Sequence, residues 1–150
     1  MEKRKMIYEG KAKKVYETDD PDILIQDFKD DATAFDATKR GTIGNKGIVN
    51  NKISKILFEL LTSKGIETHF IKQLDDRQML IKRVQIVPLE VTIRNVVAGG
   101  MAKLLGIEEG LKLEEPVFEY HFKEDSLHDP LINEYHAKAL KLATDEELDF

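Results

Sequence analysis

The sequence contains no cysteine, which excludes disulfides, thiolate metal sites and a cysteine nucleophile. It has no run of 18 apolar residues, so no stretch of it reads as a membrane-spanning helix. Residues 1–5 are charged and lack the apolar core of a secretory signal. Basic excess is missing too. The net charge is −5, and apart from small groups at 3–5 and 11–14 the lysines and arginines are scattered, which argues against a nucleic-acid partner. There is no internal repeat and no low-complexity tract. His69, His121, His128 and His136 do not show metal-ligand spacing. The expectation is a cytoplasmic protein. Its 150 residues suffice for one domain or for two small lobes sharing a cleft, burying about 68–70% of the unfolded surface.

Local patterns give the organisation. Residues 6–9 and 14–18 read as strands joined by Gly10-Lys11-Ala12-Lys13, and 22–28 follows after the turn residues Asp20-Pro21-Asp22. Residues 29–44 are polar and read as a loop with one apolar pair, Ala34-Phe35; loops this long in compact domains are often functional. Residues 45–64 predict a helix. Val49, Ile53, Ile56, Leu57, Leu60 and Leu61 recur at three- and four-residue steps on one face, and Gly65 supplies a stop. Strands are expected at 68–74 and 79–88 around Asp75-Asp76-Arg77. Another follows at 89–97, set off by Pro88, which cannot donate to a ladder. A short helix at 98–105 ends at Gly106, 117–122 is a strand, and Asn133 caps a helix over 134–142. Thr144 and Glu147 form a capping box, yet only three residues follow Glu147. Either the chain stops partway through a larger fold, or the spacing is accidental in a frayed tail.

Two segments carry chemistry. In residues 10–16, a glycine at a strand–turn–strand lets the backbone approach a ligand closely. Lys11 and Lys13 are two apart, so on an extended backbone they share a face and suit a polyphosphate. The pattern is neither a Walker loop nor a dinucleotide fingerprint; it is closer to the Gly-rich hairpin of kinases. A solvated hairpin with ordinary lysines is the plainer alternative. In residues 86–100, Arg94 stands on a strand with Glu90 four residues earlier on the same face. Ala98-Gly99-Gly100 then opens a helix, where free N–H groups attract anions. Either Arg94 and the amides near Gly99 grip a phosphorylated substrate, or Glu90 and Arg94 form an internal ion pair beside a glycine turn.

Together these segments resemble the phosphoribosylaminoimidazole-succinocarboxamide synthase (SAICAR synthetase) family. Residues 87–99 follow its signature, apolar-apolar-Pro-apolar-Glu, then alternating apolar residues to Arg, then Ala-Gly. Tyr8-x-Gly10-Lys11-x-Lys13 matches its N-terminal hairpin, with further agreement at Ala34-Phe35-Asp36, from Gly47 to Lys52, at Leu105-Gly106 and at His128-Asp129-Pro130-Leu131. The resemblance covers essentially the whole chain. It implies an α+β fold, with an antiparallel N-terminal sheet and one long helix (1–84) beside the start of an ATP-grasp-like lobe (85–150), and an ATP cleft between them. The implied reaction joins L-aspartate to carboxyaminoimidazole ribonucleotide with ATP and Mg2+, through an acyl phosphate.

Carried over position by position, the resemblance implies that Lys11 and Lys13 hold ATP phosphates. Lys82 would lie in the nucleotide cleft, and Val84 and Val87 would line the adenine pocket. Arg94, with Gly99 and Gly100, would bind the ribonucleotide phosphate. Asp36 and Asp129 would be the candidate catalytic residues on the substrate side, with His128 able to orient Asp129. The implied partners are ATP, the ribonucleotide and L-aspartate, with neither nucleic acid nor membrane, and a homo-oligomer is compatible with the sequence. Two departures stand out. Gly100 replaces the family's usual serine, and the family's carboxylate-bearing C-terminal third has no counterpart here, which predicts an N-terminal fragment or a shortened relative. The rivals are another kinase-like phosphotransferase, which leaves residues 94–100 unexplained, and an inactive nucleotide-binding fragment.

Overall fold

The computed structural model describes residues 1–34 and 39–149; Phe35 and the candidate Asp36 lie outside them. The chain forms two compact units, Met1–Gln85 and Ile86–Phe150, each with antiparallel sheet and helix.

The first unit contains β1 (Met6–Glu9), β2 (Lys13–Glu17), β3 (Ile23–Phe28), β4 (Asp31–Ala34), β5 (Lys39–Thr42), α1 (Lys46–Ser63), β6 (Phe70–Gln73) and β7 (Gln78–Lys82). Five of these strands make an antiparallel sheet in the order β1-β2-β3-β7-β6. Alternation sends Val15, Leu24, Phe28, Met79 and Ile81 into one cluster, covered by Phe58 of α1 and by Phe70. Met79 is fully buried, and each such side chain contributes about 1.5–3 kcal/mol of burial. Ile25 and Leu80 are buried on the opposite face. Over that face Lys3 pairs with Asp27 at 2.6 Å and sits 3.8 Å from the Tyr16 ring centroid.

The entry to α1 is fixed from outside the helix. Asp30 accepts from the Gly47 N–H at 2.8 Å and takes both ends of the Arg77 guanidinium, at 2.7 and 2.9 Å. A Cβ at Gly47 would lie 2.6 Å from the Phe28 carbonyl oxygen, so glycine is required by the close approach. Asn51, fully buried, donates to the Asp75 carbonyl at 2.9 Å. One carboxylate and one amide therefore tie the start of α1 to the β3 end and the β6–β7 turn.

Three expectations change here. Residues 29–44 are not all loop, because β4 and β5 pair from Asp31↔Thr42 to Ala34↔Lys39. The strand expected over 79–88 ends at Lys82, whose ladder partner Ile23 begins β3. Most important, the apolar stripe of α1 does not face the sheet. Val49, Ile53, Ile56, Leu57 and Leu60 are all at least half exposed, whereas Gly47, Asn51 and Phe58 turn inward. Periodicity identifies a helix face correctly, but it does not say what that face packs against.

The second unit contains β8 (Leu89–Val96), α2 (Gly99–Leu105), β9 (Lys112–Phe122), a 3-10 turn (Asp125–Leu127), β10 (Leu131–Ile132), α3 (Glu134–Ala139) and α4 (Asp145–Asp149). Its sheet runs β10-β9-β8, antiparallel throughout. β9 begins five residues before the expected start, at Lys112. α2 stops at Gly106, whose φ of 65° is the left-handed cap conformation. Asn133 accepts from the His136 N–H at 3.0 Å and caps α3. Thr144 and Glu147 exchange their two bonds, at 2.8 and 3.2 Å, and start α4. Among the described residues, no helix is long and apolar enough to cross a membrane.

Candidate functional site

The chemistry-bearing residues fall into two groups, one in each unit. In the first unit, an open cavity of about 490 Å³ is lined by Phe58, Glu67, Thr68, His69, Lys82 and Val84. The β6–β7 pairing forms its floor, with the Lys82 N–H donating to the His69 carbonyl at 2.7 Å. Phe58 meets the His69 ring edge-on at 5.0 Å and stacks on Phe70 at 5.6 Å, so the imidazole has a rigid apolar wall. Desolvation, and then the charge of Lys13, hold His69 below its ordinary value, which leaves it neutral at physiological pH. Burial also lowers the Lys13 ammonium. Lys13 lies on the same face of β2 as the core residue Val15. Lys11 is in the turn before β2, so the two-residue alternation that would align it with Lys13 does not apply to it.

Lys14 and Lys29 reach Glu9 at 3.7 and 2.7 Å. Among the described residues, Lys11, Lys13 and Lys82 are in no ion pair. Of these three, Lys82 lines the cavity, which Glu67 also lines, and a lysine outside an ion pair can neutralise a bound anion. Val87 belongs to the second unit, where its carbonyl accepts from the Leu89 N–H at 2.7 Å across Pro88.

In the second unit, the β8–β9 register puts Glu90, Thr92 and Arg94 on the same sheet face as His121, Glu119 and Val117. Arg94 Nε donates to Glu119 Oε2 at 2.5 Å, and its Nη1 lies 3.4 Å from the Ala98 carbonyl oxygen. The partner of Arg94 is therefore Glu119 and not Glu90. Glu90 instead approaches Lys123 Nζ at 3.3 Å, and the same ammonium holds Asp129 Oδ2 at 2.6 Å. Asp129, then the weaker contact with Glu90, raises the Lys123 value. His121 joins the two halves of this row. Its Nε2 is 3.5 Å from Glu119 Oε2 and its Nδ1 is 3.2 Å from the Asp129 carbonyl oxygen. His128 and Asp129 both have positive φ, 58° and 47°, a conformation uncommon outside glycine that clusters at functional positions. Asp129 is thus held through its carboxylate by Lys123 and through its carbonyl by His121.

At the start of α2, the Gly99 N–H donates to Glu109 Oε1 at 2.9 Å, so this amide already faces an anion. A Cβ at Gly100 would meet nothing within 4 Å. Motif reasoning points to Arg94 and Asp129 but passes over Glu119, His121 and Lys123. The signal available for these three was period two along β9, which puts positions 119, 121 and 123 on one face.

A profile of the SAICAR synthetase family matches residues 6–150. The phosphoribosylaminoimidazole-succinocarboxamide synthase of Thermoanaerobacter sp. (strain X514) is 58% identical over 149 residues, which are 99% of this chain and 63% of that protein. The synthase of Clostridium botulinum (strain Alaska E43 / Type E3) is 60% identical over 149 residues, with the same shares. Among solved structures, the synthase of Ehrlichia chaffeensis superposes with a TM-score of 0.92 at 43% identity, over 97% of this chain and 61% of that one. A SAICAR synthetase in complex with ADP gives 0.89 at 48% identity, over the same shares. The chain spans a little under two thirds of the length of these relatives. On the match of sequence and fold together, this chain belongs to the SAICAR synthetase family.

Proposed function

We propose that this protein is an ATP-dependent ligase of purine biosynthesis in the cytoplasm, joining L-aspartate to the carboxylate of 5-amino-1-(5-phosphoribosyl)imidazole-4-carboxylate. The observation that carries the reading is the family match over residues 6–150, joined to a 48% identical relative that binds ADP.

In this reading the two units correspond to two lobes of the enzyme, the second with ATP-grasp-like character, and the enzyme binds ATP. Lys11, Lys13 and Lys82 neutralise its phosphates, while Val84 and Val87 line the adenine pocket. Arg94 takes the ribonucleotide phosphate, and that phosphate displaces the Glu109 carboxylate from the amides at Gly99 and Gly100. Asp36 and Asp129 face the reacting groups. An imidazole carboxylate resists attack by an amine because oxide is a very poor leaving group. Its oxygen attacks the γ-phosphorus of ATP, the bond to the β–γ bridging oxygen breaks, and ADP departs. The aspartate amine then attacks the acyl carbon, loses a proton, and inorganic phosphate leaves. The protein's contribution is positioning and charge neutralisation. Among the described residues, no group of three or more His, Asp or Glu converges as a metal-holding cluster. Mg2+ would come bound to the ATP phosphates and would supply charge neutralisation there.

The test is ADP release by this chain with magnesium-ATP, the carboxylated ribonucleotide and aspartate, each omitted in turn. Release that requires all three is expected. Turnover without aspartate would replace the ligase by a phosphotransferase. ATP binding without turnover would identify a nucleotide-binding fragment.

A further inference from the structure

The row of charges on the β8–β9 face contains a residue with no role in the scheme above. Glu119 lies opposite Thr92 in the ladder, two register positions from the Arg94↔Val117 pair, so its carboxylate reaches Arg94 diagonally on the shared face. Both side chains are largely enclosed, 19% exposed for Arg94 and 10% for Glu119. A guanidinium presents five donors in a planar fork. Glu119 engages the Nε side of it. The weak contact of Nη1 with the Ala98 carbonyl turns the terminal nitrogens toward the segment that opens α2. Glu119 thus uses the donor nearest the stem and leaves the outer edge of the fork available for a second, bidentate acceptor.

We propose that Glu119 is a positioning residue, fixing the Arg94 guanidinium so that its outer edge meets the phosphate of the ribonucleotide. The proposal rests on the reading of Arg94 as the phosphate-binding residue. The Glu119 Oε2 that Arg94 engages also lies 3.5 Å from His121 Nε2, and His121 Nδ1 meets the Asp129 carbonyl at 3.2 Å. The same contacts link the phosphate end of the face to the loop that carries Asp129. A carboxylate so close to a phosphate subsite would repel the ligand if it stood alone. Here its charge is matched by Arg94, and it lies on the stem side of the fork. Orientation therefore outweighs repulsion, and removing Glu119 lowers phosphate affinity.

The test is calorimetric binding to the full chain of the carboxylated ribonucleotide, the same compound without its phosphate, and ATP. The variants are Glu119→Ala, Glu119→Gln, Arg94→Ala and Arg94→Ala combined with each Glu119 change. Glu119→Ala is expected to weaken the ribonucleotide about tenfold, the size of one charge-assisted hydrogen bond misdirected. The dephosphorylated compound and ATP should be unchanged. Glu119→Gln keeps an acceptor for Nε and should restore most of the affinity. In the Arg94→Ala background neither Glu119 change should matter further, the non-additivity of residues acting through one another. If Glu119→Ala does not fold, the glutamine variant and its double mutant read the same coupling. Unchanged or tighter ribonucleotide binding in the Glu119 variants, with Arg94→Ala still weak, overturns the positioning role and leaves Arg94 in place. Equal loss for the phosphorylated and dephosphorylated compounds overturns it as well. An Arg94→Ala variant that binds normally removes the phosphate reading, and the role of Glu119 with it.

Discussion

The two units treat charge and apolar surface differently. In the first, neighbouring strands bury Leu24, Ile25, Phe28, Met79, Leu80 and Ile81 on both faces of the sheet. Several of its charges are paired around that sheet, as in Asp30–Arg77, Lys3–Asp27 and Lys29–Glu9. In the second, one face of the sheet carries Glu90, Arg94, Glu119 and His121, and the other presents Val91, Ile93 and Phe118, each more than half exposed. Its buried residues, Val97, Met101, Ala137 and Ala143, lie outside those strands. The first unit spends its apolar residues on closing a core, and the second spends one whole sheet face on charged chemistry. Hydrophobic stabilisation follows the area removed from water, so the first unit is expected to be the more stable of the two.

The sharpest way to break this contrast is to cut each core. Met79→Ala should cost about 2–5 kcal/mol, the range for a fully enclosed side chain. Met101→Ala, at a site with less enclosing structure, should cost less. Urea unfolding followed by far-UV circular dichroism would compare them, and equal costs would erase the difference between the units.

A second effect depends on pH. Asp30 is held far below its ordinary value near 3.8, first by the Arg77 guanidinium and then by the Gly47 N–H. A depressed carboxyl contributes stability that is present above that ordinary value and lost as pH falls below it. The chain should therefore lose stability steeply below about pH 4. Asp30→Asn should be less stable at neutral pH and show a flatter acid limb. An unchanged acid limb in that variant would show that the pair does not hold α1. The smallest effect belongs to the second unit. Gly100 has open space where a side chain would grow, so Gly100→Ser should fold normally and tighten ribonucleotide binding about two- to fivefold, the worth of one hydroxyl hydrogen bond. Weaker binding would place the phosphate elsewhere.

What could be read from the sequence was what local rules control. α1 runs over Lys46–Ser63 against an expected 45–64, α2 ends at Gly106, and the Thr144–Glu147 box forms as the spacing requires. These depend on backbone chemistry within a few residues. What was not legible depends on distant partners. The β4–β5 hairpin hides in a polar stretch without apolar alternation, and the outward stripe of α1 shows a face with no clue to its neighbour. The carboxylate on Arg94 comes from a residue 25 positions away, while the nearer Glu90 pairs with Lys123. Of the candidate site, Lys82 and Val84 line one cavity. Lys11 sits in a turn, where strand alternation has no meaning.

The central claim is a division of labour, nucleotide phosphates on the lysines of the first unit and the ribonucleotide phosphate on Arg94 of the second. The most direct test is to titrate Lys13→Ala and Arg94→Ala each with ATP and with the carboxylated ribonucleotide. The account predicts a crossed result, each variant losing about tenfold or more for its own ligand and less than about twofold for the other, as expected for removal of one charged contact. Equal loss of both ligands in either variant, or no loss in both, would contradict it.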